Sequence, residues 1–212
     1  LYERAADELD VDLTVFADTD IRSGSSVQEN ANINPAFEEA VLNADAFIGS
    51  LIFDYDDVLV VKNLLDHVKG PRLIFESATE LMTFNKIGSF SMQSKGDGPS
   101  GPPPAVKAIL SKFSSGKEED KISGYLKLLK IGPTLLRYVP GEKAGDLRVW
   151  LEAYRFWNQG GKGNFKSMLQ LIAHTCNSRN VRSQIELPEL QVTPDIGLIH
   201  PLVNRDGGKY FE

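Results

Sequence analysis

The chain has 212 residues, a net charge of −6 and a hydrophobic share of 42%, which is ordinary for a globular protein with a real core. Every apolar run is shorter than the roughly 20 residues of a membrane-spanning helix, so we predict no transmembrane segment. The single cysteine, Cys176, excludes an internal disulfide and a zinc site built from several cysteines. It continues an apolar helical pattern, which predicts a buried structural thiol.

The charge is distributed unevenly along the chain. Residues 1–104 carry 7 basic and 18 acidic side chains, whereas residues 105–182 carry 14 basic and 6 acidic ones. The positive segment suits an anionic partner such as a carboxylate ligand, another subunit or a membrane surface. A bipolar surface that helps two layers of the fold dock, or chance, is the favoured explanation of the pattern. Nucleic acid is not an expected partner, because the basic residues alternate with core positions and form no dense stripe.

Residues 1–93 alternate between helical and strand-like patterns and form the first predicted domain. Strands are predicted at 11–17, 46–53 and 72–76, with helices at 1–9, from Pro35 and from an N-cap within Asp54–Asp57. The second strand is almost wholly apolar, as expected in a parallel sheet that is covered on both faces. Helices between strands imply right-handed crossovers. We therefore predict an α/β fold with a doubly wound, mostly parallel, flavodoxin- or Rossmann-like sheet whose first strand is missing.

The second half of the chain is predicted to be helical. Residues 94–104 are rich in Gly and Pro and form a flexible loop, residues 105–180 form a helical region that packs on the α/β layer, and residues 181–212 begin a next domain or neck. Three apolar stripes follow helical spacing. They are Ile122, Tyr125, Leu126 and Leu129; Leu147, Trp150, Leu151, Tyr154 and Trp157; and Phe165, Met168, Leu169, Ile172 and Cys176.

Two groups of carboxylates are candidate ligands for a cation or phosphate-bound metal. Asp18 and Asp20 follow a predicted strand, but the chain has no P-loop and no Gly-rich dinucleotide motif, so a solvated loop is favoured there. Asp54, Asp56 and Asp57 could bind Mg²⁺, yet carboxylates also stabilise a helix N-terminus, and capping is the favoured interpretation. The three histidines are far apart in sequence and form no local ligand pair. We predict no metal site.

An aromatic stripe with neighbouring arginines is the strongest candidate for ligand binding. Trp150, Tyr154 and Trp157 could stack on a flat macrocycle, and Arg148 and Arg155 could pair with its carboxylates, since guanidinium binds carboxylate bidentately. The competing interpretation, which the spacing favours, is that the aromatic side chains pack into the protein core, as any buried helix face requires.

Five sequence strings, in this order, resemble the amino-terminal region of the large H subunit of magnesium chelatase. They are ADAFIGSLIF (44–53), FNKIGSFSM (84–92), LKLLK (126–130), LRYVPGEKAGDLR (136–148) and YRFWNQGG (154–161). The matches are collinear across residues 1–173, which makes them more specific together than singly. The large subunit of aerobic cobalt chelatase is a more distant relative with a similar plan.

The resemblance implies a very large subunit that binds protoporphyrin IX and Mg²⁺ as substrates for chlorophyll biosynthesis. Two smaller subunits would bind and hydrolyse ATP, and a porphyrin-binding regulator is a further conceivable partner. A plastid stroma or a cyanobacterial cytoplasm is the implied location. The metal-insertion site would lie beyond this fragment, so we assign no catalytic residue here.

Three functions are consistent with these observations. The first is an amino-terminal, non-catalytic part of the magnesium-chelating subunit with a structural, gating or partner-docking role. The second is a tetrapyrrole-binding or regulatory interaction module without chemistry. The third is a stand-alone flavodoxin-like nucleotide binder, against which the missing phosphate motif counts.

Overall fold

The computed structural model describes residues 2–9, 11–23, 32–92, 132–134, 136–137, 139–177 and 189–192. The helices are α1 (Tyr2–Ala6), α2 (Pro35–Asn43), α3 (Tyr55–Leu65), α4 (Thr79–Met82), α5 (Glu142–Gln159) and α6 (Lys162–Asn177). The strands are β1 (Arg22–Ser23), β2 (Asn32–Ile33), β3 (Phe47–Ser50), β4 (Arg72–Phe75), β5 (Lys86–Ile87) and β6 (Phe90–Ser91). None of these helices is both long enough and apolar enough to span a bilayer.

The main sheet has four strands in the order β3-β4-β5-β6. β3 and β4 are parallel, whereas β4 pairs with β5 and β5 pairs with β6 in antiparallel fashion. A separate antiparallel ribbon joins β1 and β2. The α/β class is therefore confirmed, but the described strands form a mixed sheet, and the predicted doubly wound, mostly parallel topology is not confirmed.

Helices cover both faces of this sheet. Since successive residues of a strand point to opposite sides, each strand contributes side chains to both layers. Leu73 and Phe75 of β4 join an apolar cluster with α1, α5 and α6. Ile74, between them, joins a second cluster with α2, α3 and α4. All four residues of β4 are buried, which makes this strand the centre of the fold.

Local sequence signals place α2 and α3 beside β3. Pro35 occupies the first turn of α2, as predicted, and Asn34 caps it through its side chain. Asp54 caps α3 by accepting hydrogen bonds from the backbone N–H groups of Asp56 and Asp57, so the capping interpretation of this cluster is confirmed. The chain then returns through Gly70, where a Cβ atom would lie 1.7 Å from the Asp45 carbonyl oxygen.

The strand predicted at 11–17 is wrong, since this segment has no regular secondary structure. Alternating apolar residues favour a strand only where a neighbouring strand can pair with them, and β3 has no partner on that side among the described residues. The segment is instead fixed by side chains, with the Phe16 ring packed edge-on against Phe37 at 5.3 Å.

The string FNKIGSFSM folds into the β5–β6 hairpin. Gly88 lies in the turn with a φ of 54°, a conformation that glycine adopts without strain. Asn85, immediately before β5, is fully buried. Its side-chain amide accepts a hydrogen bond from the N–H of Ile74 and donates one to the carbonyl of the same residue, both at 2.8 Å. A side chain therefore extends the short pairing between β4 and the hairpin.

The predicted helical stripes at 147–157 and 165–176 lie on α5 and α6, and the stripe at 122–129 and the loop at 94–104 lie outside the described residues. Cys176 departs from its prediction because it is exposed near the end of α6, not buried. Partial desolvation of the sulfur, and then the charge of Asp45, nevertheless raise the pKa of the thiol, so the reactive thiolate is disfavoured.

Candidate functional site

The predicted ligand-binding residues all lie on α5, an 18-residue helix that runs between Gly141 and Gly160. Both glycines have positive φ angles, 109° and 66°, which stop the helix from continuing. Residues two positions apart on a helix are about 200° apart around its axis. Trp150 and Arg148 therefore point to opposite sides of α5.

The aromatic face of α5, formed by Trp150, Tyr154 and Trp157, packs against the sheet. The Tyr154 ring stacks on Phe75 of β4 with centroids 4.9 Å apart and an interplanar angle of 15°. The Trp157 ring also packs on Phe75, with the two centroids 5.3 Å apart. Trp150 and Tyr154 are only 4% and 1% exposed, whereas Trp157 is half-buried. These contacts are those of a protein core, as the competing interpretation of the stripe expected.

Polar atoms on this face and on the preceding turn of α5 hold the helix to the β5–β6 hairpin and to the end of β4. Trp150 donates its indole N–H to Asn85 Oδ1 at 2.8 Å, and the Tyr154 hydroxyl donates to Glu76 Oε1 at 3.0 Å. One turn earlier, Asp146 Oδ2 accepts hydrogen bonds from both the backbone N–H and the hydroxyl of Ser89 in the hairpin turn. Buried aromatic groups with satisfied polar tips fix the position of the helix.

The arginine face of α5, formed by Arg148, Glu152 and Arg155, lies on the other side. Arg155 Nη1 donates to Glu152 Oε2 at 2.9 Å. Glu152 is buried, and both arginines are half-buried. Arg137, which precedes α5, also interacts electrostatically with Arg148 and Glu152. In the part of the chain that the structure describes, no carboxylate lies within ion-pair distance of Arg148.

The electrostatics of this face favour an added negative charge. Burial raises the pKa of Glu152, although Arg155, Arg148 and Arg137 act in the opposite direction. Burial and then the neighbouring Arg137 lower the pKa of Arg148, and Glu152 only partly offsets them. Among the described residues, only Arg155 lies within ion-pair distance of Glu152, and Arg148 and Arg137 act on its carboxylate over a longer range. The described part of this face therefore has more positive than negative charge, and guanidinium groups form charge-assisted hydrogen bonds with carboxylate or phosphate.

The structure brings the five predicted residues onto one helix but separates them into two faces, so a single flat ligand does not meet both. Sequence reasoning missed Glu152, a member of the arginine face, and the nearby Arg137. Glu152 could have been found, because it lies four residues after Arg148 and three before Arg155. Arg137 has no such local signal.

The other candidate carboxylates already accept hydrogen bonds from groups of the protein itself. Arg22 donates to Asp54, Asp56 and Asp57 through three different nitrogen atoms, the Asp57 contact being 2.5 Å. Asp18 and Asp20 accept hydrogen bonds from the nearby backbone N–H groups of Thr19 and Ala17. Within the described ranges, no group of three or more His, Cys, Asp or Glu side chains is arranged to hold a metal ion.

Comparison with known proteins places the chain in a family. Residues 1–151 match the model of a domain of unknown function, DUF3479. The chain is 35% identical over 181 residues to the magnesium-chelatase H subunit of Chlorobaculum parvum, covering 84% of this chain and 13% of that protein. It is 33% identical over 163 residues to the chloroplastic magnesium-chelatase ChlH of Oryza sativa subsp. indica and of subsp. japonica, covering 76% of this chain and 11% of each. The chain therefore belongs to the DUF3479 family and is similar, over most of its length, to the amino-terminal region of magnesium-chelatase H subunits.

Proposed function

We propose that this chain is the amino-terminal part of a magnesium-chelatase H subunit, the porphyrin-handling component of the enzyme that inserts Mg²⁺ into protoporphyrin IX. The observation that carries the proposal is the 35% identity across 84% of the chain to such a subunit. Two smaller partner subunits would bind and hydrolyse ATP. The place of action would be a plastid stroma or a bacterial cytoplasm, within chlorophyll or bacteriochlorophyll biosynthesis.

The chain spans only 11–13% of the length of the curated relatives it matches, so its own role is narrower than the activity of the whole enzyme. We assign no catalytic residue to it. Its proposed role is structural, gating or partner-docking, and the part that meets the substrate is the arginine face of α5.

The arginine face is proposed to bind a carboxylate of protoporphyrin IX. A half-buried guanidinium that lacks a carboxylate partner has lost part of its hydration, so a ligand carboxylate can restore favourable interactions there. Arg148 is in this position among the described residues. The aromatic face contributes indirectly, because Trp150, Tyr154 and Trp157 hold α5 against β4.

A porphyrin titration of the 212-residue chain tests this assignment. The double variant Arg148→Ala/Arg155→Ala removes two guanidinium groups, and we expect the Kd for protoporphyrin IX to rise about tenfold or more, because charge-assisted hydrogen bonds contribute roughly 1.5–3 kcal/mol each. Quenching of intrinsic tryptophan fluorescence gives the Kd.

The matched control is Lys62→Ala/Lys143→Ala, which removes the same charge from exposed positions on α3 and α5. Its Kd should stay close to that of the wild type. An unchanged Kd in the arginine variant, with thermal unfolding showing that it is folded, would reject the carboxylate assignment. If both variants bound protoporphyrin IX equally weakly, net charge alone would explain the effect.

A further inference from the structure

A second surface, which the proposed function does not use, lies where β3 ends. Leu51, Phe53, Tyr55 and Leu59 are 60%, 63%, 73% and 40% exposed and form what we call the β3-edge patch. Tyr55 and Leu59 are one helical turn apart and share a face of α3. Four of the eight large hydrophobic side chains that are exposed in the described ranges therefore fall within nine consecutive residues. Neighbouring exposed apolar side chains, especially when polar residues surround them, are typical of an interaction site.

The backbone at this edge is strained. Leu51 has a φ of 59° and Glu76 has a φ of 42°, and these residues directly follow the parallel strands β3 and β4. Residues other than glycine are unfavourable at such positive φ angles. The conformation is held by hydrogen bonds from the N–H of Ile52 to Ser77 Oγ at 3.1 Å and from the N–H of Ala78 to the Ile52 carbonyl at 2.9 Å. Leu51 is thus unfavourable both in its backbone conformation and in the exposure of its apolar side chain. These two features indicate a role for Leu51 outside the fold.

The rim of the β3-edge patch is acidic. Asp54, Asp56 and Asp57 share the single guanidinium of Arg22, so this group keeps a formal charge of −2. Glu76 is exposed nearby along the same edge of the sheet. Negative charge beside apolar side chains disfavours anionic lipid and nucleic acid, and it favours apolar groups that are flanked by Lys or Arg.

We propose that the β3-edge patch docks a basic amphipathic segment of a protein partner. Apolar side chains of that segment cover Leu51, Phe53 and Tyr55, and its Lys or Arg side chains face the aspartates of the rim. An amphipathic helix makes such a contact through apolar side chains that lie one turn apart. The arginine face of α5 takes no part in this contact, so the docking proposal does not depend on porphyrin binding.

A pair of designed helical peptides provides the probe. Both contain leucine on one face, and the other face is lysine in one peptide and glutamate in the second. We expect the Leu/Lys peptide to bind the wild-type chain, as measured by fluorescence anisotropy, and the Leu/Glu peptide to bind at least tenfold more weakly. Phe53→Ser should weaken binding of the Leu/Lys peptide by about tenfold or more, because a buried aromatic contact is lost.

Leu51→Gly separates binding from folding. Glycine relieves the strain at a φ of 59°, so this variant should unfold at the same or a higher temperature than the wild type while it binds the Leu/Lys peptide more weakly. The control is Leu42→Ser, since Leu42 is also exposed but lies on α2, before the opposite end of β3. Its peptide affinity should stay within about twofold of the wild type.

Four results would overturn the proposal. They are no binding of the Leu/Lys peptide to the wild type, equal binding of both peptides, an affinity that Phe53→Ser leaves unchanged, and equal losses in Leu51→Gly and Leu42→Ser. Binding of the chain to vesicles of anionic lipid that is lost in Phe53→Ser would also overturn it, by assigning the patch to a membrane surface instead.

Discussion

At the scale of single residues, Asn85 connects parts of the chain that are far apart in sequence. Its side chain makes four hydrogen bonds, two to the backbone of Ile74, one to the carbonyl of Met82 and one from the indole of Trp150. Because Asn85 is fully buried, its partner groups are out of contact with bulk water and lose these bonds if the amide is removed. The residue thus joins β4, α4 and α5.

Replacing Asn85 tests this role. Asn85→Ala leaves buried donors and acceptors without partners, and we expect the free energy of unfolding to fall by about 2–4 kcal/mol. Chemical denaturation measures the loss. Asn43→Ala, which removes an exposed side-chain bond to the Glu39 carbonyl, should change stability by no more than about 0.5 kcal/mol. Similar losses in both variants would contradict the role given to Asn85.

At the scale of elements, α1 is attached to α6 by ion pairs at the protein surface. Glu8, just after α1, pairs with both Lys162 and Lys166 of α6. Hydrogen bonds from these lysines, and then their charges, lower the pKa of Glu8 to about 2. A lowered carboxyl pKa stabilises the fold above the ordinary value of 4.5, and this stabilisation is lost as the pH falls through the folded-state value.

The Glu8→Gln variant should therefore be less stable than the wild type near pH 6. The difference in melting temperature should shrink as the pH falls from 4.5 towards 2, because the Glu8 carboxyl group of the unfolded wild-type chain is protonated in this range, whereas that of the folded chain stays ionised until the pH nears its lowered pKa. Thermal unfolding of both chains across this pH range measures the difference in melting temperature. In a background that carries Lys162→Met and Lys166→Met, the pH-dependent part should vanish. A difference that stays constant with pH in the native background would show that Glu8 acts through packing rather than charge.

Secondary structure was predictable where the signal is local. Pro35 and Asp54 mark the starts of α2 and α3 correctly, and the apolar stripe at 147–157 marks α5. The segment 11–17 was not predictable in the same way, since its alternation fits a strand but pairing depends on a neighbour that the sequence does not reveal. The mixed sheet was missed for a similar reason, because the FNKIGSFSM string was not interpreted as a hairpin.

At the scale of the whole molecule, the sequence predicted the helix α5 but not the division of its surface. Trp150 and Arg148 are close in sequence and were expected to meet one ligand. Trp150 instead bonds to Asn85, 65 positions away, and the arginines lie on the reverse side of α5. Contacts over such separations arise from the packing of layers, so no local pattern indicates them. The family itself was predictable, since collinear strings do not depend on three-dimensional packing.

The division of α5 into an aromatic face that builds the fold and an arginine face that we propose binds an anion gives Glu152 a defined role. The Glu152 carboxylate already pairs with Arg155, so it would compete with a carboxylate of the proposed ligand. The most direct test is the Kd for protoporphyrin IX of Glu152→Gln, with Glu142→Gln in the exposed first turn of α5 as the control of equal charge. We predict about three- to tenfold tighter binding for Glu152→Gln and no change for the control. Unchanged or weaker binding by a folded Glu152→Gln chain would contradict this division of the helix.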